Sequence, residues 1–129
     1  MPQREVGRAV RASSCAADDP VRVLYLDPMD GATGVFRDAL VVASLSHALD
    51  AASVTAEAFA VEDEEGTVPG RTVLSPDGRC VVWRAERLLA PGTAHRVTVA
   101  GLRDVRGRTV APHRSRFVPC DLTYRDVFD

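Results

Sequence analysis

Three histidines, three cysteines and two groups of carboxylates are the side chains here that could hold a metal or move a proton. A zinc site needs about four nitrogen or sulfur ligands at close spacing, and Cys15, Cys80 and Cys120 fit no such pattern. They read as unpaired thiols of a reducing compartment. His47, His95 and His113 are scattered: the metal reading is copper or zinc binding, the plain reading is core or surface histidine. Asp27 and Asp30 flank one turn, and Glu62, Asp63, Glu64 and Glu65 form an acidic run. Calcium takes about six to eight converging oxygens. These six carboxylates are the calcium candidates if folding brings the two groups to one end, and the alternative is a solvated acidic turn. Ser13, Ser14, Ser44, Ser46 and Cys80 stand in no nucleophile motif, and no glycine-rich loop suits a phosphate. No catalytic site and no cofactor are expected.

The totals narrow the classes further. The chain has 129 residues, suited to one domain. Its net charge is −2, so neither nucleic acid nor a membrane surface attracts it in bulk. Every one of its 16 basic residues is Arg. No run is long enough to span a bilayer, so no membrane insertion is expected. The first residues carry Arg4, Arg8 and Arg11 without an apolar stretch, unlike a signal peptide. The expected location is the cytoplasm or a particle assembled there; the alternative is export to the cell surface with the signal outside this sequence.

The elements that must position these groups are strands. Residues 1–20 lack any period and are expected to form a flexible arm. From residue 21 onward, short alternating apolar runs are broken by turn signals about every ten residues. Strands are expected at residues 21–26, 39–46, 59–62, 68–74, 79–85, 93–100 and 113–118. The stretch LDPMDGATGV (residues 26–35) is expected as a connector and residues 50–57 as a short helical turn. Pro69 marks its strand as an edge, since proline cannot donate to a ladder. Val81 and Trp83 should point inward and Cys80 outward. About seven short antiparallel strands and no long helix imply an all-β, immunoglobulin-like sandwich over residues 21–119.

The motifs PMDGATGV, LSHALDAASV, FAVEDEEGTVPG, PDGRCVVW, LLAPGTAHRVTV and LRDVRGRTVAP follow one another in order over residues 21–118. Together they resemble the bacterial Ig-like domain of the SbsA (S-layer) type. The resemblance implies the sandwich and an exported, often tandemly repeated structural module. Two positions depart from it: His95 stands where the family has Tyr, and Arg108 where it has Asn after the loop glycine. A copper-resistance family has a similar sandwich and a similar Pro-x-Asp-Gly opening, which makes a small metal carrier the alternative function. Its N-terminal His and its late Asp-Gly-His are missing here.

With no chemistry in view, docking remains. The loop around residues 101–107 presents Arg103, Arg106 and Arg108. Opposite it in such a sandwich stands the acidic turn, which would suit head-to-tail contact with another copy or a protein partner. The tail, residues 120–129, carries Leu122, Tyr124 and Phe128 and is too apolar for plain solvation. It either folds back on the sandwich or contacts a partner. Cys15 and Cys120 should lie at opposite ends, too far apart for a bridge.

Overall fold

The computed structural model describes residues 20–128. The expected arm therefore lies, up to residue 19, outside the described residues. Two sheets face one another. The front sheet has the order β1 (Val23–Asp27), β3 (Val41–Leu45), β7 (Cys80–Ala85), β6 (Gly70–Leu74). The back sheet has the order β2 (Ala32–Val35), β9 (His113–Pro119), β8 (His95–Val99), β4 (Phe59–Asp63), β5 (Gly66–Thr67). All pairings are antiparallel except β2 with β9.

The core follows from alternation, because successive side chains on a strand point to opposite faces. Val41, Ala43 and Leu45 on β3, Val81 and Trp83 on β7, and Leu26 on β1 line the front sheet's inner face. Phe59 and Val61 on β4, Val97 and Val99 on β8, and Phe117 on β9 meet them from the back. The Trp83 indole packs directly against Gly70: a Cβ on that glycine would clash with the ring.

Several expectations change. The connector over residues 26–35 holds a strand, β2. The chain crosses from front to back there, with the Gly31 N–H donating to the Arg116 carbonyl (2.8 Å) and Asp30 Oδ1 accepting from the Arg116 N–H (2.9 Å). Gly34, at φ 67°, sits at the bulge between Thr33 and Val35, a conformation that costs glycine little. β2 is too short and too rich in small residues for its alternation to register in sequence. The strand expected at residues 68–74 begins only at Gly70, as β6, because the chain changes sheets at Val68 and Pro69, and a further short strand, β5, precedes the change. β5 and β6 both lie at sheet edges, where a residue without an N–H is tolerated. The helical turn expected over residues 50–57 shrinks to a 3-10 turn, Ala51–Ser53, capped by Asp50 Oδ1 accepting from the Ala52 N–H (3.1 Å). The tail holds a short helix, α1 (Tyr124–Phe128). The described residues thus form nine strands rather than about seven.

The two poles of the sandwich differ. At one, Val21 brings the chain in and its carbonyl accepts from the Ala111 N–H (3.0 Å), just before β9 begins. The loop over residues 101–107 lies there too, between the end of β8 and the start of β9. β9 then runs the height of the sandwich to the second pole. There the tail, the acidic turn after β4 and the β7–β8 connection gather.

Candidate interaction surface

The tail's pole is built by backbone anchoring first. The Cys120 N–H donates to the Val35 carbonyl (2.8 Å) and the Arg37 N–H to the Leu122 carbonyl (3.0 Å). The Tyr124 N–H donates to Asp38 Oδ1 (2.8 Å). Arg37 is held from the other side, its Nε donating to the Leu89 carbonyl (2.8 Å). α1 opens with a capping box, Thr123 N–H to Asp126 Oδ2 (2.7 Å) and Asp126 N–H to Thr123 Oγ1 (3.2 Å). The Thr123 N–H and hydroxyl bonds hold the Asp126 carboxyl below its usual range against partial burial, and Arg37 adds to the effect.

On this frame Phe36 meets Tyr124 and Phe128 edge-on, at 6.2 and 6.1 Å between ring centres, and the two α1 rings lie 4.6 Å apart. The cluster does not close over itself: Tyr124 stays 56% and Phe128 63% exposed, with Leu122 and Val127 open as well. The tail both folds back and leaves apolar surface outward. Phe36 is the member that sequence reasoning missed, since it lies between the connector and the next expected strand and belongs to no periodic run.

The calcium candidates do not converge. Asp27 ends β1 on the front sheet's outer side, opposite Val42. Asp30 spends its oxygen on the Arg116 N–H. Glu62 pairs with Arg96 across β4 and β8 (3.4 Å). Asp63 is buried, and its Oδ1 accepts from the Glu65 N–H (2.8 Å) to shape the turn. Glu64 and Glu65 face solvent. Among the described residues no three His, Cys, Asp or Glu side chains group as metal ligands.

The histidines hold the fold. His47 Nδ1 lies 2.7 Å from Ser46 Oγ, and that oxygen accepts from the Arg22 N–H (2.9 Å). Both side chains are buried, so the pair ties β1 to β3 and offers no accessible nucleophile. His95 is enclosed in the core, stacked on Phe117 at 5.3 Å. Its Nδ1 lies 2.8 Å from the Thr93 carbonyl, which can only accept, so Nδ1 carries the proton. His95 Nε2 and Ser115 Oγ are buried with no hydrogen-bond partner. His113 begins β9, half-buried.

The arginine loop is partly consumed. Arg108 binds Asp104 through its side chain (2.7 and 2.9 Å). Asp104 Oδ1 also accepts from the N–H groups of Arg106 (3.0 Å) and Arg108 (2.7 Å). Burial opposes the charge on Asp104, but these bonds and the Arg108 guanidinium outweigh it and hold the carboxyl below its usual range. Arg103 is exposed.

A second surface is the outer face of the front sheet. Its rows run Asp27, Val42, Val82, Val73 and Tyr25, Ser44, Cys80, with Arg71 opposite Arg84 at the β6 edge. The back sheet's outer face instead carries the row Glu62, Arg96, Arg116, with Arg114 beside it. The signal for the first was legible: VLYL, LVV and CVVW are apolar without alternation.

Comparison with known proteins agrees with the fold. The profile described as "Bacterial Ig-like domain" matches residues 17–118. The S-layer protein fragment rSbsC(31-844) is similar at TM-score 0.61 and 14% identity, over 91% of this chain and 15% of that one. CopC from Methylosinus trichosporium OB3b is similar at TM-score 0.65 and 14% identity, over 78% of this chain and 94% of that one. Native alpha-2-macroglobulin of Escherichia coli is similar at TM-score 0.61 and 20% identity, over 87% and 7%. At such identities the likeness is one of fold. The chain spans only about 15% of the S-layer protein's length. No curated sequence matches it.

Proposed function

The chain belongs to the bacterial Ig-like domain family, and from that premise we propose that it is a non-enzymatic structural module that docks end to end within a larger surface assembly, as a domain of SbsA type would. The observation that carries this reading is the aromatic cap of Phe36, Tyr124 and Phe128, fixed to the frame yet left open at the pole opposite the one where the chain comes in. Monomeric proteins seldom expose contiguous apolar surface without a use. Charge supports the polarity: Glu64 and Glu65 stand at the capped pole, Arg103 at the other. The S-layer likeness favours the cell surface over a cytoplasmic particle as the location. No helix among the described residues is long and apolar enough to cross a membrane.

Sedimentation velocity at low and high salt tests this reading. Association that falls with salt and is lost in Tyr124→Ser/Phe128→Ser supports end-to-end docking; a monomer throughout overturns self-docking. The copper-carrier alternative draws on the CopC likeness, which covers 94% of that chain. A copper or zinc titration that raises the melting temperature would favour it, since a ligand bound to the native state stabilises with concentration.

A further inference from the structure

The front sheet reads differently from an ordinary half-solvated sheet. Antiparallel sheets with one wet face alternate apolar and polar residues, whereas strands covered on both sides run continuously apolar. β8 and β9 alternate, as His-Arg-Val-Thr-Val and His-Arg-Ser-Arg-Phe-Val. β1, β3 and β7 depart from alternation: Val-Leu-Tyr-Leu-Asp, Val-Val-Ala-Ser-Leu and Cys-Val-Val-Trp-Arg-Ala carry apolar or small residues at successive positions, with charge only at Asp27 and Arg84. Their inward halves line the core. Their outward halves put Tyr25, Val42 and Val82 into neighbouring positions, joined by Val73 of β6, with Val73 64% and Tyr25 52% exposed. α1, the described helix, is anchored at the pole and not on this face.

We propose that this outer face is a lateral docking surface for a second copy of the chain, packed face to face with the β1 edge of one copy over the β6 edge of the other. The face is electrically lopsided in a way that fits itself. Among its strand residues the one carboxylate, Asp27, stands at the β1 edge in the row of Val73, and Arg71 and Arg84 stand one row along at the β6 side. A twofold axis parallel to the strands lays Asp27 over the β6 edge of the other copy. Arg71 sits two residues from Val73, about 7 Å along the strand, within reach of an arginine side chain. The contact is isologous, so two such pairs form around a centre of valines.

The size of the face sets the strength. Four strands spaced by about 4.8 Å and five residues long give a footprint of roughly 300 Å² per copy. A pair then covers roughly 600 Å² of footprint, small beside the roughly 1,200 Å² or more of a standard stable interface. Pairing is therefore weak and concentration-dependent, suited to copies held close in an array. It is independent of end-to-end docking, because it uses neither pole.

Cys80 gives the test. It lies half-buried on this face beside Val82, whereas the half-buried Cys120 lies at the tail's pole. The full chain is treated with a thiol reagent over a wide concentration range, labelling is read peptide by peptide, and mass is read by sedimentation equilibrium. The expected result is a dimer in which Cys80 labelling slows several-fold as concentration rises while Cys120 labelling does not. Val73→Asp, outward and exposed, should abolish both the dimer and the protection without lowering the melting temperature appreciably. Asp27→Arg should weaken dimerisation about tenfold, one such step being about 1.4 kcal/mol, and Asp27→Arg/Arg71→Asp should restore it. A monomer with Cys80 open at every concentration overturns the proposal. So does concentration-independent protection, which would mean that residues 1–19 cover the face. A dimer that protects Cys120 instead, or that survives Val73→Asp, also overturns it and assigns association to the pole.

Discussion

The two sheets share one core but are built on different terms. The front sheet is largely apolar on both faces; its inner face holds Trp83, Val81, Val41 and Leu45, with Thr72 at the β6 edge. The back sheet admits polar groups on both sides. Inside it carries His95 and Ser115, each with a buried polar atom that no partner satisfies, and outside it opposes Arg96 to Arg116. An unmet buried polar atom typically costs about 1–3 kcal/mol, so the back sheet is the less optimised half. The two sheets stabilise one shared core, and the front sheet's surplus apolar surface is what a structural partner would cover.

The sharpest way to break this contrast is on β7, where neighbouring residues face opposite ways. Trp83→Ala should destabilise by about 3–5 kcal/mol, read from denaturant unfolding. Val82→Ala, one residue earlier and outward, should stay within about 0.5 kcal/mol for the monomer, as surface changes usually do. Equal losses would mean that the front sheet's outer face is not free in the isolated chain. Gly70→Ala comes next. Its Cβ would clash with the buried Trp83 ring, so overpacking should cost about 1–3 kcal/mol. A neutral Gly70→Ala would show that β6 is loose at the sheet edge and that the front sheet's rigidity ends at β7.

Period two made the inner half of both sheets legible in the sequence. Val41, Ala43, Leu45, Val81, Trp83, Val97 and Val99 are inward as their alternation predicts. Edges and crossings were harder. β2 consists of Ala-Thr-Gly-Val, four residues that owe their strand state to the β9 ladder rather than to their own propensity, an instance of context overriding local preference. The change of sheet at Val68 and Pro69 was likewise hidden, because a chain that switches sheets can keep its alternation. The candidate site was half legible. Leu122, Tyr124 and Phe128 stood out as apolar residues in a polar tail. Phe36 became their partner only through the Arg37 and Asp38 hydrogen bonds to residues some eighty positions later. The charges told least, since sequence cannot show that Arg108 is held by Asp104 and Asp63 by its own turn.

Asp104 sharpens the contrast from the back sheet's side, because it organises the loop between β8 and β9 by polar bonds alone. Its carboxyl is held below the ordinary aspartate value of 3.8. A depressed native value means that the charged form is the one favoured by folding. Its contribution is therefore full above that ordinary value and is lost as pH falls through the lowered one. Asp104→Asn should lower the melting temperature at neutral pH and reduce the wild type's further loss on acidification below about pH 4, where the two melting temperatures converge. A parallel acid profile in the variant would show that another carboxylate, such as Asp126 with its own depressed value, carries the acid sensitivity.

The smallest effect lies on the two outer faces, and its sign discriminates between them. Arg96 faces Arg116 on the back sheet, and Arg71 faces Arg84 on the front. Like charges directly opposite destabilise an antiparallel pair, and opposite charges contribute about 0.2–1 kcal/mol. Arg116→Glu should therefore stabilise the monomer by a few tenths to about 1 kcal/mol. It relieves the repulsion and gives Arg96, whose side chain is 61% exposed and pairs with Glu62 at 3.4 Å, a second carboxylate. The gain should shrink in high salt, since exposed charges are screened over about 8 Å at physiological ionic strength. Arg84→Glu opposite Arg71 should give the monomer a similar gain by the same rule. The two variants part company in assembly. Arg116→Glu leaves the front face untouched and should leave lateral pairing unchanged, whereas Arg84→Glu removes one of the two cations that Asp27 of the other copy meets and should weaken it. Measured together, monomer stability by urea unfolding and association by sedimentation, the pair separates a charge that merely tolerates its neighbour from one retained for a contact outside the fold. If both variants gain stability and neither changes association, the opposed arginines of the front face serve no pairing, and its valines alone must account for any docking there.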